Sequence, residues 1–446
     1  MNISHVTPGE QKNALTSSTL AFTVCFAVWT IFSIIGIKIK GDLNLTDTQF
    51  GILVATPILT GSLSRIFLGV WADQYGGRII YTLQMVTTAL AAYLLTMVTT
   101  YPMFLVAALG VGLAGGSFAV GVAYVSTWYP KEKQGTALGI FGMGNVGAAV
   151  TNFGAPILLV AVGNEWQGVA QVYSVILLIT AILFYVFTKD DPALRARKEQ
   201  GVAHATFLEQ MEPLKNMQVW RFSLYYFFVF GAFVALALWL PRYYMGAYGL
   251  EIGTAGMLAA AYALPGSIFR ALGGWLSDKI GARRVMYWTF GVCVACTFIM
   301  SYPATDYTVA GIEGPINFNI TIPLWIFVSL TIVLGFFMSL GKAAVYKHIP
   351  VYYPKHVGAV GGVVGLVGGL GGFFLPITFG IMNDFIGVWT SCFMLLTILI
   401  GIALTWMHFA ILRMERRKHP ELAEPQYLPE LENINPERDN INKAAE

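Results

Sequence analysis

The sequence predicts an all-α, polytopic membrane protein with twelve transmembrane helices in two pseudo-symmetric six-helix bundles. Composition, the length of the apolar runs and an internal repeat support this prediction. Apolar residues make up 56% of the chain and charged residues only 11%, whereas charged residues make up about 25% of a typical soluble protein. Apolar runs recur with the length of about 20 residues that crosses a hydrocarbon core of roughly 30 Å. A membrane β-barrel would show shorter segments of alternating polarity.

Glycine, proline and charged residues interrupt the apolar sequence and set the ends of the predicted helices. The first six helices are predicted at residues 17–38, 48–71, 79–99, 101–128, 135–161 and 167–187. The last six are predicted at residues 219–244, 253–275, 284–302, 321–349, 356–383 and 387–413. We therefore divide the chain into an N-terminal bundle (1–188), a cytoplasmic linker (189–218), a C-terminal bundle (219–413) and a polar cytoplasmic tail (414–446).

The distribution of lysine and arginine predicts the orientation. Most of these residues lie in the connections on the side of the N-terminus, and the opposite connections carry only Lys38, Lys40 and Arg242. Cytoplasmic connections of helical membrane proteins are the ones rich in lysine and arginine. We therefore expect both termini to be cytoplasmic.

Two arginines lie inside predicted membrane helices, and each has the same neighbourhood. Arg65 follows a Gly-Ser pair at Gly61, and Arg270 follows a Gly-Ser pair at Gly266. A guanidinium group inside a bilayer costs at least about 2.5 kcal/mol unless it is compensated. Because this cost occurs at equivalent places in the two halves, we expect both cations to contact one anionic substrate.

A second repeated pattern follows each arginine. Its glycine, aspartate and arginine recur at constant spacing: Gly69, Asp73 and Arg78 in the first half, and Gly274, Asp278 and Arg283 in the second. Glycine allows close helix contact, and aspartate can meet a helix N-terminus or a basic partner. We therefore assign these six residues to gating.

The predicted fifth and eleventh helices are rich in glycine. One run extends from Gly139 to Gly147 and contains Asn145, and the other extends from Gly361 to Gly372. Glycine at every third or fourth position lets neighbouring backbones approach closely. By itself this pattern indicates tight helix packing.

Taken together, the arginine repeat, the gating pattern and the glycine runs resemble the nitrate/nitrite porter family of the major facilitator superfamily. The resemblance covers roughly residues 17–413 and is strongest at Gly115–Phe118, at Tyr129-Pro130 and at Tyr353-Pro354. It implies the major facilitator fold in a bacterial inner membrane. It also implies secondary active transport by alternating access, with the substrate held between the two halves.

The resemblance also implies the residues that bind the substrate. They are Arg65, Arg270, Phe118, Asn145, Tyr226, Phe230 and Tyr346. Taken singly, each aromatic residue would more commonly be a packing residue. The arginines suit a planar oxyanion, because a guanidinium group donates two parallel hydrogen bonds to paired oxygen atoms.

One lysine adds a further charge inside the predicted tenth helix. Lys342 follows Gly341, and a Gly-Lys pair at this place resembles the proton-coupled members of the family. Lys342 lies seven residues before the predicted end of its helix at Ile349, which is about 10 Å. We therefore predict that it couples proton movement to transport. The alternative is a lysine whose ammonium group extends to the inner interface.

These features lead to one main functional hypothesis and several alternatives. We expect import of nitrate, as nitrate/proton symport. Nitrate/nitrite exchange is the nearest alternative, because the swap of two monoanions needs no titrating group. A transporter-like nitrate sensor would need an interaction domain, for which the linker and tail are too short. A facilitator for an organic anion would need a larger cavity than bulky aromatic residues leave.

The expected partners are nitrate or nitrite, protons and membrane lipid, with no nucleic acid. The pattern contains no nucleophile with its base, so we predict no enzymatic activity. The four cysteines fall in predicted helices without a neighbouring ligand set, so we predict no metal site and no cofactor. We expect the protein to function as a monomer.

Overall fold

The computed structural model describes residues 7–190, 192, 215–352 and 357–418. Within that part of the chain, 11 helical stretches are long and apolar enough to cross a membrane. One stretch, Ile252–Met300, has 49 residues, more than twice the length of about 20 that a membrane requires. It is divided at Gly281, whose φ is 91°. The prediction of a polytopic, all-α membrane protein is therefore confirmed, and its twelve-helix arrangement is consistent with the structure.

The helices agree with the predicted spans to within a few residues at most ends. The first six are α1 (Pro8–Leu43), α2 (Asp47–Tyr75), α3 (Gly77–Leu94), α4 (Tyr101–Trp128), α5 (Lys131–Gly142 and Gly147–Ala161) and α6 (Trp166–Phe187). The last six are α7 (Met217–Tyr248), α8 (Ile252–Ala263 and Arg270–Leu276), α9 (Ala282–Met300), α10 (Leu324–Tyr352), α11 (Val357–Ile386) and α12 (Ser391–Lys418).

The first helix starts nine residues earlier than predicted. Pro8 occupies the first turn of α1, where its missing N–H is not needed. Thr7 and Glu10 form a reciprocal capping box that satisfies two of the free N–H groups at this end. Residues 8–16 are too polar to be predicted as part of a membrane helix. They are nevertheless helical, because a capping box can start a helix in a polar segment.

The connection between α9 and α10 contains a β-hairpin that was not predicted from the sequence. Strand β1 (Thr305–Gly311) pairs with β2 (Gly314–Ile320) in antiparallel register. Tyr307 and Phe318 are opposite each other in this register, and their rings stack with centroids 5.4 Å apart. The hairpin lies outside the helical bundle, so the fold class is unchanged.

Two glycines form the same turn in the two halves. Gly76, between α2 and α3, has φ 96° and ψ 135°, and Gly281, between α8 and α9, has φ 91° and ψ 135°. Positive φ strongly favours glycine. Gly76 and Gly281 each follow the buried arginine of their half by 11 residues, so the same turn recurs at the same place and supports the pseudo-symmetry of the two halves.

Several helices are irregular near the arginines. Helix α4 tightens to a 3-10 turn at Leu113–Gly116, and α5 does so at Met143–Val146. Helix α7 widens to a π-helix at Phe227–Ala232, and α8 is interrupted at Leu264 and at Phe269. Such irregular turns are common at functional sites, because they redirect backbone carbonyl groups and side chains.

The halves approach closely on the side away from the N-terminus. A methyl carbon added to Gly51 of α2 would lie 2.4 Å from the carbonyl oxygen of Pro376 in α11. One added to Gly256 of α8 would lie 2.3 Å from the carbonyl oxygen of Asn152 in α5. These helix pairs are thus in backbone contact, and this side of the bundle is closed.

On the opposite side of the bundle, nearer the N-terminus, three glycines are loosely packed. A methyl carbon added to Gly139 of α5, Gly274 of α8 or Gly362 of α11 would meet no atom of the described chain within 4 Å. At these three positions the helices leave space, whereas Gly51 and Gly256 on the other side lie against the backbone of the opposite half.

The division into bundles 1–188 and 219–413 stays a proposal. Most of the predicted linker 189–218, nearly all of the predicted tail 414–446, and Tyr353-Pro354 lie outside the described residues.

Candidate functional site

Arg65 is held at the interface between the two halves. Its side chain is buried, with 9% exposed. Its Nε donates to the carbonyl oxygen of Gly115 in the irregular turn of α4, and its Nη1 donates to that of Gly365 in α11, both at 3.2 Å. Because these carbonyls belong to different halves, Arg65 links α4 to α11. Backbone carbonyls partly replace the water that the guanidinium group loses on burial.

Arg270 is equally buried but less well satisfied. Only 8% of the residue is exposed, and its Nη1 has no hydrogen-bond partner among the described residues. The guanidinium group lies against Gly142 of α5, where an added methyl carbon would be 3.3 Å from it. A buried donor without a partner is costly. Arg270 therefore has capacity to bind an anion.

Both arginines face one aromatic ring. The guanidinium carbon of Arg65 is 5.5 Å from the centroid of Phe118, and that of Arg270 is 5.8 Å from it. Both distances fall within the range of cation–π contacts. The structure thus brings together three of the residues that the resemblance implied for the substrate site.

Three further predicted residues form an aromatic wall from α7 and α10. Tyr226 and Phe230 stack with centroids 5.0 Å apart, and Tyr346 meets Tyr226 edge-on at 5.0 Å. Phe230 lies 5.4 Å from the Arg65 guanidinium carbon, and Tyr346 lies 5.8 Å from that of Arg270. The wall therefore lines the same site as the arginines.

The glycine run of α11 makes room for this wall. A methyl carbon added to Gly368 would lie 2.2 Å from the ring of Tyr226, and one added to Gly365 would lie 2.9 Å from the hydroxyl of Tyr346. Gly361 accepts a hydrogen bond from the same hydroxyl at 3.1 Å. The run thus permits close approach of helices, as predicted, and specifically of aromatic side chains.

Asn145 sits in the 3-10 turn of α5. It is almost fully buried, and neither its amide nitrogen nor its amide oxygen has a hydrogen-bond partner among the described residues. This turn contacts the segment Pro265–Ile268 of α8. A buried amide with both ends unsatisfied is unfavourable, so a polar ligand would complete its environment.

Lys342 is fully buried in α10. Its Nζ donates to the carbonyl oxygen of Gly266 at 2.6 Å and lies 3.3 Å from the centroid of Phe233. The helix continues for ten residues beyond it to Tyr352, which is about 15 Å rather than 10 Å. The ammonium group does not extend to the interface, so the alternative of an interfacial lysine is wrong for this conformation.

The gating pattern is only partly described. Arg78 donates to the carbonyl oxygen of Tyr185 and forms a 3.3 Å ion pair with Asp190. Asp278 pairs with Lys347, and Arg283 donates to the hydroxyl of Tyr352 at 3.0 Å. The side chain of Asp73 lies outside the described part.

One expectation about the gating pattern is corrected. We expected Gly69 and Gly274 to permit close helix contact. A methyl carbon at Gly69 would be 3.7 Å from Ala119, an ordinary contact, and at Gly274 it would meet no described atom within 4 Å. In this conformation neither glycine is needed for close packing, because this end of the bundle is the looser one.

The closed end carries a charge cluster for which the sequence gives no functional signal. Asp47, at the start of α2, forms ion pairs with Lys40 at 3.1 Å and with Arg242 of α7 at 3.2 Å. Asp384 of α11 accepts the backbone N–H groups of Asp47 and Thr48, at 3.0 and 2.7 Å. A carboxylate at a helix N-terminus is favourable. We call these four charged residues the outer latch, since they tie α2 to α7 and α11.

Sequence reasoning also missed two aromatic residues beside the cations. Trp29 of α1 lies 5.6 Å from the Arg65 guanidinium carbon and donates from its Nε1 to the carbonyl oxygen of Pro57 at 2.8 Å. Phe233 of α7 covers Lys342. Neither residue has a sequence signal, because both lie in uniformly apolar stretches.

Comparison with known proteins gives one family. Residues 18–314 match the model of the Major Facilitator Superfamily. The chain is 41% identical over 426 residues to the probable nitrate/nitrite antiporter NarK1 of Thermus thermophilus, with 93% of this chain and 94% of that protein covered. It is 30% identical to the nitrite extrusion protein of Bacillus subtilis (strain 168), with 87% and 91% covered.

Solved structures agree at the level of the fold. A bacterial homolog of the human lysosomal transporter Spinster superposes with a TM-score of 0.67 at 16% identity, covering 91% of this chain and 97% of that one. The nucleoside transporter NupG superposes with a TM-score of 0.67 at 12% identity, covering 89% and 99%. At these identities the likeness concerns the fold alone.

Proposed function

Because this chain belongs to the nitrate/nitrite porter family of the Major Facilitator Superfamily, we propose that it imports nitrate by alternating access, as nitrate/proton symport. The fold and family are those of membrane transporters and not of enzymes. The observation that carries the proposal is the pair of buried guanidinium groups facing Phe118, with Nη1 of Arg270 unpartnered. Two buried cations at one interface are stabilised when an anion binds to them.

The shape of the site favours a flat monoanion. A guanidinium group and nitrate are both planar, so paired N–H···O bonds can form in one plane. Phe118 on one side and the Tyr226–Phe230 stack on the other would enclose a flat ion. The amide of Asn145 would supply a further donor. A tetrahedral anion would not fit between flat aromatic surfaces.

Energetics favours coupling to protons. An inside-negative potential opposes import of a monoanion by about 2.3 kcal/mol per 100 mV. Two or more protons per nitrate would make the translocated charge positive, so the potential would drive import. We assign proton coupling to Lys342. Lys342 is fully buried and its described contacts include no carboxylate. Burying a charged group without a counter-ion is costly, so arrival of nitrate nearby would favour the charged ammonium group.

Alternating access would use the two ends of the bundle. We propose that the closed, latched end faces away from the cytoplasm and that the looser end releases nitrate inside. Both termini would then be cytoplasmic, as the lysine and arginine distribution predicts. The bundles 1–188 and 219–413 would rock about the site, in the bacterial inner membrane, within a single functional monomer.

A second mechanism has one observation in its favour. The relative from Thermus thermophilus is named a probable nitrate/nitrite antiporter. Exchange of two monoanions moves no net charge and needs no proton. The same arginine pair would hold either anion, so the mechanisms differ in the role of Lys342.

Reconstitution separates the two mechanisms. Purified protein in proteoliposomes is given external nitrate, with and without internal nitrite, while external pH is followed. Symport predicts alkalinisation outside without internal nitrite. Lys342→Gln should then bind nitrate without accumulating it, whereas Lys279→Gln, outside the site, should behave as wild type. Uptake that requires internal nitrite and moves no protons would establish exchange instead.

A further inference from the structure

The environment of Lys342 contains two neutral partners at close range. The ammonium group donates to the Gly266 carbonyl and lies 3.3 Å from the centroid of the Phe233 ring. Such a close approach to a ring face is a strong cation–π geometry. Lys342 is fully buried, so water does not share in its solvation.

The ring is fixed in this position by packing. A methyl carbon at Gly266 would lie 2.2 Å from Cε2 of Phe233, so only glycine leaves space for the ring. The ring is also tilted against that of Tyr262, with centroids 5.4 Å apart. Tyr262 also donates to the backbone carbonyl of Phe233 at 3.3 Å. The ring therefore has little freedom to turn away from the ammonium group.

The N-terminal half contains a corresponding arrangement. There Trp29 of α1 packs on Gly61, the counterpart of Gly266, with an added methyl carbon 2.4 Å from its Nε1. The Arg65 guanidinium carbon lies 5.6 Å from this ring. In each half an aromatic residue therefore fills the space over the repeated glycine and contacts a buried cation.

The charges around Lys342 increase the need for such a partner. Arg270 of α8 is a second buried cation, of the same sign. The titratable residue that contacts the Phe233 ring is Tyr262, also of α8, which is uncharged in its protonated form. The described contacts of the ammonium group include no carboxylate.

We propose that Phe233 is the positioning residue that stabilises protonated Lys342, with its ring face in place of a carboxylate counter-ion. This inference rests on the proposed role of Lys342 in proton coupling. A carboxylate would hold the proton permanently and would compete with nitrate for the arginines. A ring face stabilises the ammonium group more weakly, so the proton remains exchangeable and nitrate can determine whether it is bound.

Graded fluorination of the ring provides the test. Fluorine withdraws electron density from the ring face with little change in size, so phenylalanine at 233 is replaced by mono-, di- and trifluorophenylalanine. Nitrate affinity of the purified, full-length protein is measured against pH. Across the series we expect the midpoint of the affinity profile to move to lower pH, by about one pH unit. The reason is that Lys342 then keeps its proton, and so attracts nitrate, only at higher proton concentration.

Phe290 is the matched control. It is fully buried in α9 and packs edge-on against Tyr225 and Phe228. Its fluorination should leave the pH midpoint unchanged. Phe233→Leu, which removes the ring but keeps an apolar side chain, should reproduce the end of the series.

Two results would overturn the inference. One is a pH midpoint that does not move across the Phe233 series, and the other is an equal movement in the Phe290 series. Failure of the proposed symport is seen separately, as nitrate flux through wild-type protein without proton movement. The binding profile reports on Lys342 in either case, because it requires no flux.

Discussion

Arg65 and Arg270 occupy equivalent positions in the sequence but differ in what holds them. Arg65 donates to carbonyl oxygens of both halves, whereas Nη1 of Arg270 has no described partner. Arg65 therefore combines a structural role between α4 and α11 with its proposed role in binding. Arg270 has more of its hydrogen-bonding capacity available to an anion.

We predict that Arg270→Lys weakens nitrate binding by about 100-fold, since lost hydrogen bonds to a charged group cost about 1.5–3 kcal/mol each. Lysine keeps the charge but cannot form the paired bonds. Thermal stability should change little, because no described hydrogen bond of its Nη1 is lost. Arg65→Lys should reduce both nitrate binding and thermal stability. Titration calorimetry and melting curves of the two purified variants measure this difference, and equal melting temperatures for the two would contradict it.

At the scale of elements, irregular turns supply the site. The turn of α4 presents the Gly115 carbonyl to Arg65, and the turn of α5 carries Asn145. The interrupted part of α8 presents the Gly266 carbonyl to Lys342. A regular helix uses its carbonyls internally, so these irregularities help to solvate buried cations without buried acids.

The contact between α5 and α8 predicts how the closed end opens. Gly256→Ala places a methyl group 2.3 Å from the Asn152 carbonyl oxygen. Overpacking costs about 1–3 kcal/mol, which would shift the balance towards the open-outside state by about 5- to 150-fold. Gly253→Ala on the same helix meets no described atom within 4 Å and serves as control. Accessibility of an introduced outer-side cysteine measures the shift; the four native cysteines are buried. No difference between the variants would show that this contact does not limit opening.

The outer latch leads to a prediction about charge. Asp47→Asn removes the ion pairs with Lys40 and Arg242, and hydrogen bonds to charged groups contribute about 1.5–3 kcal/mol. We expect a larger distance between spin labels at Asp42 and Phe385 in the variant, measured by pulsed electron resonance. Exchanging the charges, with Asp47→Arg and Arg242→Asp, should partly restore the closed distance. If the exchanged pair opens as far as Asp47→Asn alone, the ion pair is not what closes this end.

At the scale of the whole molecule, the mechanism sets the sign of charge movement. We predict that nitrate added to one side of reconstituted wild-type protein carries positive charge across in the same direction, because two or more protons accompany each anion. A more inside-negative potential should then accelerate uptake, with about 2.3 kcal/mol available per 100 mV and net charge. Currents on a supported membrane measure the sign. A negative current would indicate nitrate uniport, and no current would indicate neutral exchange or one-to-one symport.

The sequence by itself determined the class of fold and the centre of the candidate site. Apolar runs of membrane length specify helices, because lipid requires each segment to satisfy its own backbone groups. The repeated Gly-Ser-x-x-Arg pattern indicated Arg65 and Arg270. A cation inside a membrane is costly, so it is expected mainly at functional positions. Gly76 and Gly281 recur at equal distance from these arginines, and the structure supplies the reason, because their positive φ strongly restricts the residue type.

Only the tertiary structure decided the partners of these residues. Phe233 over Lys342, Trp29 beside Arg65 and Asp384 at the start of α2 are contacts between segments far apart in the chain. In an apolar helix, a phenylalanine that faces a cation has the same local sequence as one that faces lipid or core. Local pattern therefore revealed where a cation is buried, and the packing of distant helices determined which neutral groups stabilise it.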